Sequence, residues 1–194
     1  MERFFKHHER HIELSPAAQR FFLKHSRVLT YPRNAFFMRP DERMPYWCMV
    51  LEGLACGYTL DEEGLGRIHW FALPNQGFTG VRHLYTPSKA GHYIQFLQDS
   101  AILRIPALRM RQAKEQFPEV SEFLHILKQQ YIDRNDQLNI VLQQSTAYMR
   151  YARFAEFFPE LVFITTPEQQ ADFINVGRTR FFHARKRWLR ERGR

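Results

Sequence analysis

Cysteine is nearly missing from this 194-residue chain: Cys48 and Cys56 are the only two. Two thiols cannot build the disulfide framework of a small secreted domain, so a reducing cytoplasm is the expected location. No stretch approaches the ~18 uninterrupted apolar residues that a membrane-spanning helix needs. The opening MERFFKHHERHIELSP is charged and lacks the apolar centre of a secretory signal. Absent too are a Gly-rich phosphate loop, a Gly-x-Ser-x-Gly elbow and a Cys-His nucleophile pattern, so no enzyme is expected. Metal oxygenases need clustered ligands such as His-x-His with a Glu. His69, His83 and His92 lack that spacing and read as surface or satisfied core histidines. His7 and His11 stand one helical turn apart, without further ligands, and read as a solvated helix face. No metal and no cofactor are expected.

Acids are scarce in one place only. From Arg178 to Arg194 there are eight Arg or Lys and a single acid, Glu191. That segment holds +7 of the net charge of +8. Such a concentration attracts a polyanion by counterion release, and nucleic acid is the first candidate. A solvated basic tail is the competing reading.

What is present is apolar residue in abundance: 44% hydrophobic and 15% aromatic, enough for a real core. Ser15-Pro16 reads as an N-cap and first helical residue, with Phe21 and Phe22 turned inward. From Val28 to Ile105, short apolar runs are broken by turn residues, as in YWCMVLEG, LACGYTL, RIHWFAL and HYIQFLQ. Strands at such spacing suggest an antiparallel sandwich or barrel, with DEEGLG as a hairpin turn. Cys48 and Cys56 read as strand residues rather than a redox pair.

Pro106 starts a helix that ends at Phe117-Pro118. A long helix from Pro118 to Gln143, ~39 Å at 1.5 Å per residue, comes next. Its apolar residues Val120, Leu124, Leu127, Tyr131, Leu138 and Val141 recur at steps of three and four, with Arg134 interrupting, the spacing of a coiled-coil seam. The stripe can face this chain's own strands or a second copy, and the length of the helix favours the second copy. Ser145 or Thr146 caps a further helix that stops before Pro159. The domain boundary is placed near Gln144.

The last segment is read as helix, turn, helix. Thr166-Pro167 starts the first. Ala171 is small where two helices touch. Asn175 tolerates the positive φ of a tight turn, and Val176 locks the corner. In the second helix Phe181, Ala184 and Trp188 share an inner face. Arg178, Thr179, Arg180 and His183 are left outward as candidates for base edges. Arg185, Lys186 and Arg187 are candidates for phosphate. Phe182 lies beside that outer face, able to meet a thymine methyl or to pack on the strands.

This order, with YWCMVLEGLACGYTLDEEGLGRIHWFALPNQGF, then QFLQDSAILRIP, then STAYMRYARFAEFFPEL, resembles the Crp/Fnr family of transcription regulators over almost the whole chain. The resemblance implies an α+β fold: an antiparallel β-roll like that of cyclic-nucleotide-binding proteins over 1–117, a dimerisation helix over 118–144, and a winged-helix or helix-turn-helix DNA-binding domain over 145–194. It implies a homodimer on palindromic double-stranded DNA, with RNA polymerase as a further candidate partner and no membrane. Cyclic-nucleotide binders of the family carry a Gly-Glu pair for the ribose and, further on, an Arg for the phosphate. Here Gly77 is followed by Phe78, and the Arg position falls near Ala90, beside Lys89. Cyclic AMP is therefore not the expected effector, and no other is indicated. Close relatives also carry a Leu-Ser-Arg run where this chain has Phe181-Phe182-His183. The alternative is a ligand-sensing or interaction protein whose DNA-binding end has degenerated.

Overall fold

The structure is a computed structural model that describes residues 5–7, 9, 12–80 and 91–193. Its elements are α1 (Pro16–His25), β1 (Arg27–Tyr31), β2 (Phe36–Met38), β3 (Met44–Glu52), β4 (Ala55–Leu60), β5 (Gly66–Ala72), β6 (Gly77–Gly80), β7 (Tyr93–Phe96) and β8 (Ser100–Pro106). Then follow α2 (Ala107–Gln116), α3 (Pro118–Leu142), α4 (Ala147–Phe157), α5 (Pro159–Ile164), α6 (Pro167–Phe173) and α7 (Arg178–Glu191). The chain forms two compact units, Met1–Thr59 with His69–Gln129, and Leu60–Ile68 with Gln130–Arg194.

The first unit is the predicted antiparallel roll. Its strands form two four-stranded sheets, in the orders β1-β8-β3-β6 and β2-β7-β4-β5. Strand β3 is buried on both faces, which is why YWCMVLEG reads as an unbroken apolar run rather than an alternation. Trp47 and Met49 point to a layer with Leu14, just before α1, and with Phe22, Met110, Val120 and Phe123 from the helices beside the sheet. Cys48 and Val50 point the other way, among Phe37, Met38, Phe78, Ile94, Phe96 and Ile102. The alternation of Cβ directions along a strand makes this division. Burial raises both thiols, that of Cys56 to about 12 and that of Cys48 still higher, so both stay protonated and unreactive.

Two turns fix the strand register. The corner after β3 needs Gly53, at φ +88°, because a Cβ there would stand 2.5 Å from the Asp99 carbonyl oxygen. The predicted hairpin between β4 and β5 is closed by Asp61, whose carboxylate accepts the Glu63 and Leu65 amides at 3.0 and 2.8 Å. Helix α1 begins at the predicted cap: the Ala18 amide donates to the Ser15 hydroxyl at 3.2 Å. That hydroxyl donates in turn to Glu119 at 2.6 Å, and this bond holds the Glu119 carboxyl below its ordinary range.

The predicted seam of α3 is divided by the structure. Val120, Leu138 and Val141 are at most 8% exposed, buried within the single chain, so they have no area left for a partner. Val120 belongs to the helix-facing core, and Leu124 and Leu127 lie partly buried at its edge. Tyr131 is 53% exposed, and its neighbour Ile132, outside the predicted stripe, is 37% exposed. A period of 3.5 shows which side of a helix is apolar, not whether that side is consumed internally. Among the described residues, no helix is long and apolar enough to cross a membrane.

Candidate nucleic-acid interface

The second unit is built around aromatic rings. Tyr151 and Phe154 from α4, Phe158, Phe173 from α6, and Phe181 and Trp188 from α7 are all buried. Tyr151 meets Phe181 and Trp188 edge to face at 5.3 and 5.5 Å, and Phe173 meets Phe158 the same way at 5.5 Å. Such pairs add ~0.5–1.5 kcal/mol each beyond the area they bury. Gln170, almost wholly buried, donates to the carbonyls of Val162 and Thr165 at 3.1 and 3.0 Å, fixing the approach of α6 to the preceding turn.

Helix α6 starts as its sequence predicts. Thr166 and Gln169 form a reciprocal capping box, and Pro167 occupies the first helical position. The helix stops because Asn175 adopts φ +53°. The Val176 amide then reaches back to the Ala171 carbonyl at 3.0 Å, the six-residue bond that closes a helix through a left-handed residue. Arg150 completes the corner from α4: it donates to the Gln144 carbonyl and to the Asn175 carbonyl, both at 2.9 Å. It therefore ties the chain just after α3 to the helix-turn-helix corner, a positioning role not evident from the sequence. Replacing Asn175 with Val should cost about 1–2 kcal/mol, since a β-branched residue resists positive φ, while Gly should be nearly neutral. Urea unfolding of the two variants checks this, and equal stabilities would contradict the corner geometry.

Helix α7 carries the predicted division of faces. Phe181, Ala184 and Trp188 are buried, while Arg178, Thr179, Arg180, His183, Lys186 and Arg187 are exposed. Arg180, His183 and Lys186 make no ion pair among the described residues. Arg178 stands near Asp172, whose carboxyl is raised by burial and drawn back down by that guanidinium. Two of the three predicted phosphate contacts are engaged within the chain. Arg185 is half-buried, with its Nε buried and without a hydrogen-bond partner, beside the Tyr151 hydroxyl. Arg187 donates to Glu191 at 2.8 Å and lies 4.2 Å over the Tyr148 ring, while the Tyr148 hydroxyl also donates to Glu191. Of that trio, Lys186 projects outward without such a tie. Among the described residues, α7 is the last element.

The other predicted features are placed as follows. His69 is exposed and shares a 2.8 Å hydrogen bond with Thr59. His92 is partly buried, and that burial lowers its pKa. Ala90, Lys89, His83 and His11 lie outside the described residues, and no group of three metal-ligating side chains gathers among those described. Phe78, where a ribose-binding carboxylate would stand, is buried in the roll against Trp70 and Phe37, at ring separations of 5.8 and 5.3 Å. The Trp70 ring in turn presses on Gly57, where a Cβ would come within 2.2 Å of it.

No family model and no curated protein matches the chain by sequence. Solved structures match it closely in shape. FixK2 from Bradyrhizobium japonicum superposes with a TM-score of 0.71 at 18% identity, covering 87% of this chain and 86% of that one. The c-di-GMP-responsive global regulator CLP from Xanthomonas campestris gives 0.71 at 13% identity, over 91% and 93%. A protein from Eubacterium rectale assigned to the Crp/Fnr family of transcriptional regulators gives 0.67 at 15%, over 93% and 85%. From the antiparallel roll through the long helix to the helix-turn-helix, the fold of this chain is that of the Crp/Fnr regulators.

Proposed function

We propose that the chain is a cytoplasmic transcription regulator that binds double-stranded DNA as a homodimer on a palindromic site. The observation that carries this reading is the outer face of α7. Five of the predicted contact residues, Arg178, Thr179, Arg180, His183 and Lys186, are exposed together on a helix whose opposite face is locked into an aromatic core. A solvated tail needs no capping box, no left-handed corner and no buried face. The direction of α7, with Arg178 to Arg180 at its first turn, suits base contact by the start of the helix in a major groove. In this reading residues 1–117 form the sensing or scaffolding roll, 118–144 the pairing helix and 145–194 the DNA-binding end.

The roll responds to something other than cyclic AMP, or to nothing. Phe78 offers no carboxylate to a ribose, and its ring, with Trp70 and Phe37, fills the space between the sheets.

Pairing is assigned to the part of α3 that remains outward, Tyr131 and Ile132, with the partly buried Leu124 and Leu127 of the stripe beside it. Replacing both Tyr131 and Ile132 with Asp should give monomers by light scattering while the circular dichroism stays native, because neither side chain belongs to the chain's own core. Intact dimers would remove this assignment. DNA binding itself is tested by fluorescence anisotropy across a salt series. The logarithm of affinity should fall linearly with the logarithm of salt, by roughly 0.9 per phosphate neutralised. No binding even at low salt would leave the degenerate, interaction-only alternative standing.

A further inference from the structure

Phe182 is the one large apolar side chain on the cationic face of α7. It is 46% exposed, whereas its neighbour Phe181 is fully buried. The two rings meet nearly at right angles with centroids 6.0 Å apart, within the roughly 4.5–7 Å ordinary for such pairs. Phe182 is thus braced by the core while its outer edge stays open. Along the helix it sits one turn beyond Arg178 and Thr179, next to His183, and one turn before Lys186. An apolar protein surface covering this ring would have to strip water from those cations without offering them counter-charges. A DNA major groove answers both needs. Its phosphates take the cations, and its only apolar feature is the C5-methyl of thymine, against which Phe is a known type of contact.

We propose that Phe182 reads a thymine methyl in each half-site, so that the protein prefers thymine at one position by apolar contact rather than by hydrogen bonding. The proposal rests on the DNA-binding reading above and adds the specificity determinant to it. In this reading one position of the site is read by shape and methyl rather than by a guanidinium fork.

The test uses the full chain and a duplex recovered by selection from random DNA. Each thymine of one half-site is replaced in turn by uracil, which removes the methyl and leaves the pairing edge intact. Affinity is measured by anisotropy for the wild type and for Phe182→Ala. At one position uracil should weaken the wild type roughly fourfold, the factor one buried methyl supports. Phe182→Ala should bind the thymine duplex more weakly by at least that factor and should not distinguish thymine from uracil there. Phe182→Leu, which keeps an apolar tip, should retain part of the discrimination, and matching thermal transitions establish that the variants fold. A wild type indifferent to uracil at every position overturns the proposal, as does Phe182→Ala with the wild-type discrimination, while DNA binding itself stands. Failure to bind any DNA overturns the regulator reading and this proposal with it.

Discussion

Phe181→Ala should cost about 3–5 kcal/mol of stability and abolish DNA binding. The side chain is wholly buried and meets the Tyr151 ring edge to face at 5.3 Å. Truncating such a ring loses its transfer energy and leaves a cavity. The loss falls on a helix that cannot stand alone. Helix α7 has fourteen residues, its N-cap is Gly177 without a side-chain cap bond, and no acid occupies its first turn. Isolated helices of this length are marginal in water even with favourable sequences. This one also places Arg178 and Arg180 at the positive end of its dipole, an unfavourable location for cations. Its formation therefore depends on burying Phe181, Ala184 and Trp188. Urea unfolding followed by near-ultraviolet circular dichroism reports the aromatic core directly. A change below about 1 kcal/mol would show that α7 is held by something other than this packing.

The double variant Arg178→Ala, Arg180→Ala should weaken binding while leaving stability nearly unchanged. Each bidentate contact to a base contributes about 1–3 kcal/mol of discrimination, so both together should weaken specific binding by roughly 2–6 kcal/mol per half-site. Arg180→Ala alone should lose about 1–3 kcal/mol and relax the preference at one position. Removing two cations from the start of α7 should meanwhile relieve the helix dipole by a few tenths of a kcal/mol each. Neither side chain is buried, so no packing is lost, but Arg178→Ala also gives up the attraction to Asp172, which offsets part of that gain. A protein that melts no lower but no longer selects its site has lost contacts to DNA, not structure. A variant that keeps both affinity and sequence preference would contradict the assignment of these residues.

Much of this candidate interface was legible in the sequence because the signals are local. Thr166-Pro167 with Gln169 three residues on is a complete helix start within four positions. Asn175 marks the corner because few residues accept φ > 0, and the spacing of Phe181, Ala184 and Trp188 gives the inner face without any partner being known. What the sequence concealed depends on distant contacts. The apolar steps along α3 are real, but Val120, Leu138 and Val141 are taken by the chain itself. The six residues of α5 are too few to show a period. Arg185 and Arg187 look as free as Lys186 in sequence, yet one turns toward Tyr151 and the other is held by Glu191 and Tyr148. Arg150 reaches a carbonyl 25 residues away, which no local pattern encodes.

The central claim, a dimer presenting two α7 helices to DNA, is tested most directly by selecting random duplexes on the purified full-length protein and sequencing those retained. The account predicts a two-fold symmetric motif whose half-sites lie about 10–10.5 base pairs apart, centre to centre, with a fixed thymine in each half. Retained duplexes no different from the starting pool, or a motif without two-fold symmetry, would contradict it.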